Sequence, residues 1–181
     1  MNKLIAKSEI ENQIYALIDP TICGMGFMVI RVLYINSEPA TLQIMVERKT
    51  GGIEITDCTK ISKTISALLD VNDPIDQKYN LEISSPGINR PLTRWNDFET
   101  WEGYGVKIKT HESIGNRKKF NGLLRGTSDK EILLEISEGV IGIHQEWVAE
   151  ATLSLTNEQI MNFNTEVKTL NDKHFDHIET E

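Results

Sequence analysis

The sequence predicts an α+β protein of two units, a sheet domain with helices followed by a small β-barrel. Two amphipathic helical segments alternate with β-branched strands over about the first half of the 181-residue chain. A Pro-Gly turn then interrupts the chain, and five short strands joined by tight turns follow it. We therefore predict an N-terminal domain over residues 1–90, a barrel over residues 91–155, and an acidic tail, partly helical or disordered, over residues 156–181.

The first unit is predicted to run α-β-β-α-β. Apolar residues at helical spacing predict its first helix, and they are Ile10, Ile14, Leu17 and Ile18. Pro20, which lacks an amide donor, and the loop Cys23-Gly24-Met25-Gly26 are expected to end this helix. Residues 27–35 are rich in β-branched side chains, and residues 41–47 alternate apolar with polar side chains. These two segments predict a hairpin with one buried face.

A second helix and a third strand complete this unit. Thr56 or Asp57 is expected to cap the helix. Helical spacing predicts its buried stripe as Cys58, Ile61, Ile65 and Leu68. Alternation resumes near Tyr79 with Leu81 and Ile83, which predicts the third strand. The result is a small sheet covered by two helices.

The junction between the units is a proline-containing turn. Pro86 fixes φ and Gly87 accepts a positive φ, so the pair predicts the centre of a type II turn. Pro91 disfavours helical geometry at Arg90, so no helix is expected to run through this point. We expect the junction to set the geometry between the units through Ser84, Ser85, Pro86, Gly87 and Pro91.

The second unit is predicted to be almost entirely β-structure after a single helical turn at residues 96–103. Its strands are expected at residues 104–110, 118–127, 131–137, 140–147 and 149–155. Five short strands with tight turns are typical of a strongly bent SH3-like (Sm-like) barrel. Gly122 and Gly126 mark where the second strand is expected to bend.

Basic residues cluster at the start of the second unit. Residues 90–125 hold eight Lys/Arg against four acids, a net +4 inside a chain of net −8. The acidic total argues against indiscriminate nucleic-acid coating but leaves room for a local basic face. The first two strands of a barrel are neighbours, so we predict one contact patch formed by Arg90, Arg94, Lys107, Lys109, Arg117, Lys118, Lys119 and Arg125. Trp101 and Tyr104 lie nearby for base stacking, whereas Phe120 is expected in the core.

No catalytic, metal or cofactor site is predicted. The chain has neither convergent acids nor a nucleophile paired with a base, so we expect a non-enzyme. Cys23 and Cys58 are widely spaced and are expected to be reduced, mostly buried thiols. His174 and His177 lie near Asp176 without a further ligand, so no metal site is predicted there. The charged start of the chain has no signal-peptide core, which predicts a cytoplasmic protein.

Three stretches resemble the bacterial ribosome maturation factor RimP family. They are GGIEITDCTKIS at residues 51–62, LEISSPGINRPL at residues 81–92 and, more weakly, FNGLLRG at residues 120–126. The resemblance implies an α+β domain and an SH3-like barrel joined by a short linker. It also implies a monomeric, non-catalytic factor that binds the assembling small (30S) ribosomal subunit and assists its maturation. Its implied partners are a ribosomal protein near the decoding centre and adjacent ribosomal RNA.

One alternative is an Sm-like RNA-binding chaperone that acts as a ring oligomer, which predicts a stable homo-oligomer and binding to free single-stranded RNA. A further alternative, a nuclease or hydrolase, would need the catalytic constellation that the sequence lacks.

Overall fold

A computed structural model of the protein describes residues 4–155. The predictions made for the acidic tail at residues 156–181, including those for His174, Asp176 and His177, lie outside the described residues. Within the described part, three helices and two sheets form a mixed α+β structure, which confirms the predicted class.

The first helix, α1 (Glu9–Gly24), begins at a capping box. Ser8 Oγ accepts a hydrogen bond from the Glu11 amide, and Glu11 Oε2 accepts one from the Ser8 amide at 2.8 Å. The prediction is wrong for Pro20, which lies inside α1, but it is confirmed for the loop at residues 23–26, where α1 ends at Gly24. Ile22 is fully buried on the same face as Ile18, so core packing extends past the proline and offsets the lost hydrogen bond.

The first sheet has the strand order β1-β2-β3. Strands β1 (Phe27–Ile35) and β2 (Ala40–Arg48) form the predicted antiparallel hairpin, and β3 (Tyr79–Ser84) pairs parallel to β2. Between them lies α2 (Ile55–Asn72), which crosses from one parallel strand to the other. The observed order is therefore the predicted α-β-β-α-β.

Two details of α2 differ from the sequence prediction. Its cap is Glu54, whereas Asp57 stands three residues further on and accepts the Glu54 amide at 3.1 Å. The buried stripe ends at Leu69, which is 1% exposed, whereas Leu68 is only partly buried. The prediction of mostly buried thiols is wrong for Cys23, which is exposed, whereas Cys58 is half-buried.

The second unit begins with the short helix α3 (Trp95–Thr100). Five strands follow, and they are β4 (Gly105–Ile114), β5 (Arg117–Ser128), β6 (Glu131–Ile136), β7 (Gly139–His144) and β8 (Val148–Leu153). They form one antiparallel sheet in the order β7-β6-β5-β4-β8, with a 3₁₀ turn before β8. Within residues 4–155 this sheet does not close, so the predicted barrel is found only as an open five-stranded sheet.

The predicted bend in the second of these strands has a clear structural basis. Pairing of β5 with β6 shifts register between Leu124 and Thr127, and Gly126 there has a φ of 81°. Gly122 has a different role, because a Cβ atom at this position would lie 2.2 Å from the Glu135 carbonyl oxygen. The two glycines thus permit a bulge and a close strand approach.

Each sheet has its own hydrophobic core, and both cores are continuous. The first is built from α1, α2 and the inner face of the β1-β2-β3 sheet. The second includes Phe98, Ile108 and Phe120. Among residues 4–155, no helix has the length and apolar character needed to cross a membrane.

Candidate nucleic-acid interface

Three of the predicted cations share one face of the second sheet. In β4, Val106 and Ile108 point into the core, so the alternating residues Lys107 and Lys109 point outward. Strand β5 is the neighbour of β4, as predicted, and its Lys119 pairs directly opposite Lys109. We call Lys107, Lys109 and Lys119 the lysine face.

One carboxylate, that of Glu150, lies directly across from the lysine face, opposite Lys109. Lys109 lies between Lys119 on β5 and Glu150 on β8, and Lys107 lies between Asn121 and Thr152 on the same two strands. No ion pair within 4.0 Å joins any of the three lysines to another residue in the described part of the chain. Like charges directly opposite each other destabilise a strand pair, so a bound anion would stabilise the Lys109–Lys119 pair beyond what the single carboxylate of Glu150 supplies.

The other predicted cations of these strands are already engaged. Arg117 pairs with Glu138 at 2.8 Å, and Arg125 pairs with Glu135 at 2.5 Å. All four side chains are about half exposed, so these pairs stabilise the fold weakly and open readily in water. Lys118 follows the strand alternation to the side opposite Lys119, and its Nζ donates to the His111 carbonyl at 2.8 Å.

Arg90 lies in the interior, away from the lysine face. It is 7% exposed, and its Nη1 forms an ion pair with Glu47 of β2. Its Nη2 lies 3.5 Å from an Asp97 carboxylate oxygen of α3, and its guanidinium stands 5.9 Å from the centre of the Trp101 ring. Arg90 therefore links the two units and is not available to an external ligand.

Arg94 has a similar internal role. Its Nη2 donates to the Val29 carbonyl of β1 in the first unit. Its backbone amide and that of Thr93 both donate to Asp97 Oδ2, at 2.9 and 2.8 Å. Asp97 thus fixes the start of α3 and holds the arginine-bearing segment in position.

The junction residues lead from β3 to the edge of the second sheet. Ser84 ends β3, Pro86 is half-buried, and Gly87 has the positive φ, 64°, that the predicted turn requires. Pro91 is buried and forms a bridge with Thr152 of β8. The linker therefore runs along the outer edge of β8 like a short extra strand.

The aromatic residues predicted to lie near the cations are engaged in packing. Phe120 is 5% exposed and belongs to the core, as expected. Trp101 and Tyr104 are half-buried and pack edge to face, with ring centres 5.2 Å apart. Their contacts serve packing between α3 and the sheet, so the lysine face carries no free aromatic platform from this group.

Neither of the two cysteine thiols, Cys23 and Cys58, is an activated nucleophile. Partial desolvation of the thiol, followed by the nearby Asp19 carboxylate, raises the pKa of Cys23. Burial, followed by Asp57, likewise raises the pKa of Cys58. A raised pKa keeps a thiol protonated and weakly nucleophilic. Over residues 4–155, no group of three or more His, Cys, Asp or Glu side chains has a metal-binding arrangement.

Sequence reasoning missed one carboxylate that organises the first unit. Glu11 is 5% exposed, and its two oxygens accept backbone hydrogen bonds from Lys7, Ser8 and Tyr34 at 2.8–2.9 Å. Burial by itself would raise the pKa of Glu11, but the three amides together hold that pKa below its usual value. The S-x-x-E spacing signalled a capping box, but nothing local signalled the contact with β1.

Taken together, these features define a two-unit α+β protein that presents a cationic strand face. The first unit is the part of the chain that matches a known protein family. Residues 17–89 match the family model described as the RimP N-terminal domain. The match confirms the predicted resemblance to the RimP family, which is a family of ribosome maturation factors.

Proposed function

We propose that this protein is a non-catalytic, cytoplasmic factor that binds the assembling small ribosomal subunit and assists its maturation. The match of residues 17–89 to the RimP N-terminal domain carries the proposal. The proposed mechanism is transient binding, in which the lysine face contacts ribosomal RNA phosphates. A few such contacts on an acidic protein give moderate, salt-dependent affinity, which suits a factor that must later dissociate.

The proposal includes an SH3-like second unit. Its support is the strand order, the long β5 with a bulge at Gly126, and the 3₁₀ turn before β8. The proposal also includes a ribosomal protein near the decoding centre as a second contact, which rests on the family relationship alone.

One observation disfavours the alternative of an Sm-like ring. A ring assembled by edge pairing is heterologous, so every subunit must offer two free sheet edges. In the described residues, Pro91 and Leu92 already occupy the edge of β8, because the Leu92 amide donates to the Ala151 carbonyl at 2.9 Å. This supports the proposal of a monomer.

The decisive experiment is co-sedimentation of the protein with immature and mature small subunits over a salt series. We expect preferential binding to the immature subunit, weakening as salt rises. The double variant Lys109→Gln/Lys119→Gln should weaken binding and reduce the log–log salt slope by about 1.4, since each lost single-strand phosphate contact removes about 0.7. It should change the free energy of unfolding by less than about 1 kcal/mol, because it removes both the like-charge pair Lys109–Lys119 and the opposite-charge pair Lys109–Glu150, and exposed pairs contribute little.

The matched control is Lys60→Gln/Lys63→Gln, which removes two exposed lysines from α2 in the first unit. It should leave the salt slope unchanged. Equal binding to naked RNA and to subunits would overturn the proposed function, and an equal effect of both double variants would remove the lysine face from the mechanism.

A further inference from the structure

The two sheets have four outer edges, and three of them are protected. The edge of β1 is covered by the N-terminal segment, where the Val32 amide donates to the Ile5 carbonyl at 2.8 Å. The edge of β8 is covered by the linker, where the Leu153 amide donates to the Arg90 carbonyl at 2.9 Å. The edge strand β3 carries the exposed charge of Glu82. Covering and charging are the usual ways in which proteins blunt sheet edges.

Within residues 4–155, the fourth edge, β7, has neither kind of protection. Its sequence GVIGIH contains no charged residue and no proline. Strand β7 is paired only with β6, and in residues 4–155 no backbone hydrogen bond from another segment reaches its outer side. Val140 on this strand is 60% exposed, and Trp147 just beyond it is 46% exposed. An unprotected edge of this kind is a template for strand addition.

Carboxylates surround β7, and they indicate the charge of what binds it. Glu138, which forms an exposed pair with Arg117, precedes the strand, and Glu146 follows it with 82% of its side chain exposed. Glu131 on β6 extends over the strand, since a Cβ atom at Gly142 would lie 2.2 Å from Glu131 Oε2. The edge therefore combines free backbone groups and apolar side chains with a negative rim.

We propose that β7 binds an extended, basic peptide segment of a partner protein as an added β-strand. Backbone hydrogen bonds would supply the affinity, Val140 would pack against an apolar side chain, and the glutamates would select lysine or arginine. A second copy of this chain is a poor occupant, because symmetric β7–β7 pairing would bring the two glutamate sets together. RNA is disfavoured by the same negative rim. The site is separated from the lysine face by β6 and does not depend on it.

The test uses the full-length protein and a short synthetic peptide that alternates valine and lysine. We expect amide hydrogen-exchange protection at residues 139–144 when this peptide is added, weakening with salt. A valine–glutamate peptide of the same length should not bind. A valine–lysine peptide methylated at alternate backbone nitrogens should also fail, because it cannot donate along one edge.

Two variants test the site in the protein. Val140→Lys places a charge on the exposed edge, and Glu146→Lys reverses one carboxylate of the rim; we expect each to weaken peptide binding about fivefold, the equivalent of about 1 kcal/mol. The matched control is Glu82→Lys on the β3 edge, which should have no effect. Equal binding of the methylated peptide, protection at another edge, or concentration-dependent protection of β7 without peptide would overturn the proposal.

Discussion

Replacing Arg90 tests how strongly the two units are joined. Arg90 is 7% exposed, and its partners Glu47 and Asp97 are each 8% exposed. The variant Arg90→Met keeps much of the side-chain volume but leaves two buried carboxylates without their counter-charge. Breaking a buried ion pair by removing one partner costs about 3–5 kcal/mol, so we expect a loss of that size in the free energy of unfolding.

Urea unfolding followed by tryptophan fluorescence and by circular dichroism measures this loss. In the wild type we expect both probes to report one transition, because Arg90 couples the units. In Arg90→Met the two probes should separate, which indicates that one unit unfolds before the other.

The control is Arg117→Met, which breaks the exposed pair with Glu138 and should cost less than about 1 kcal/mol. The double variant Arg90→Met/Glu47→Gln should recover part of the loss, since it removes one of the uncompensated charges. If Arg90→Met cost no more than Arg117→Met, the assignment of Arg90 as an internal link would be refuted.

Two further predictions concern the stability of each unit. Glu11→Gln should lower the free energy of unfolding by about 1–3 kcal/mol at neutral pH, because backbone amides that bound a carboxylate meet a weaker acceptor. Since the folded pKa of Glu11 is lowered, its contribution is present above the unfolded pKa and is lost as pH falls through the folded pKa; urea titrations should therefore show the variant and the wild type converging in acid. Gly122→Ala should cost about 1–3 kcal/mol in thermal or urea unfolding, because the new methyl would meet the Glu135 carbonyl at 2.2 Å. Gly24→Ala is its control and should be neutral or slightly stabilising, with no atom within 4 Å; equal losses in both would contradict the close-approach argument.

The elements of the fold were predictable because their signals are local. Ile14 and Ile18 repeat at the helical period and are fully buried, and the alternation of Lys107 with Ile108 placed the lysines outward. Pro20 misled because a local helix-breaking rule competes with packing further along the helix, where Ile22 is buried. Local rules give no weight to that later contact.

The role of Arg90 could not be predicted, because its partner is distant in sequence. Glu47 is 43 positions away and falls on the polar phase of β2, where an acidic residue normally faces water. In sequence, Arg90 is therefore indistinguishable from the lysines of β4. The charge count predicted a cluster of cations in this part of the chain. Only the strand pairing in the structure distinguishes Lys109 and Lys119, which lie on the surface, from the arginines that link the two units.

The first described residues of the chain contribute side chains to the cores of both units. Ile5 and Ala6 belong to the first core, yet the residue immediately before them, Leu4, is 7% exposed and belongs to the second core, together with Leu92 and Phe98. Cleavage at the linker would therefore remove Leu4 from the core of the second unit, because Leu4 would stay attached to the first unit. The two units are therefore not independent modules of the chain.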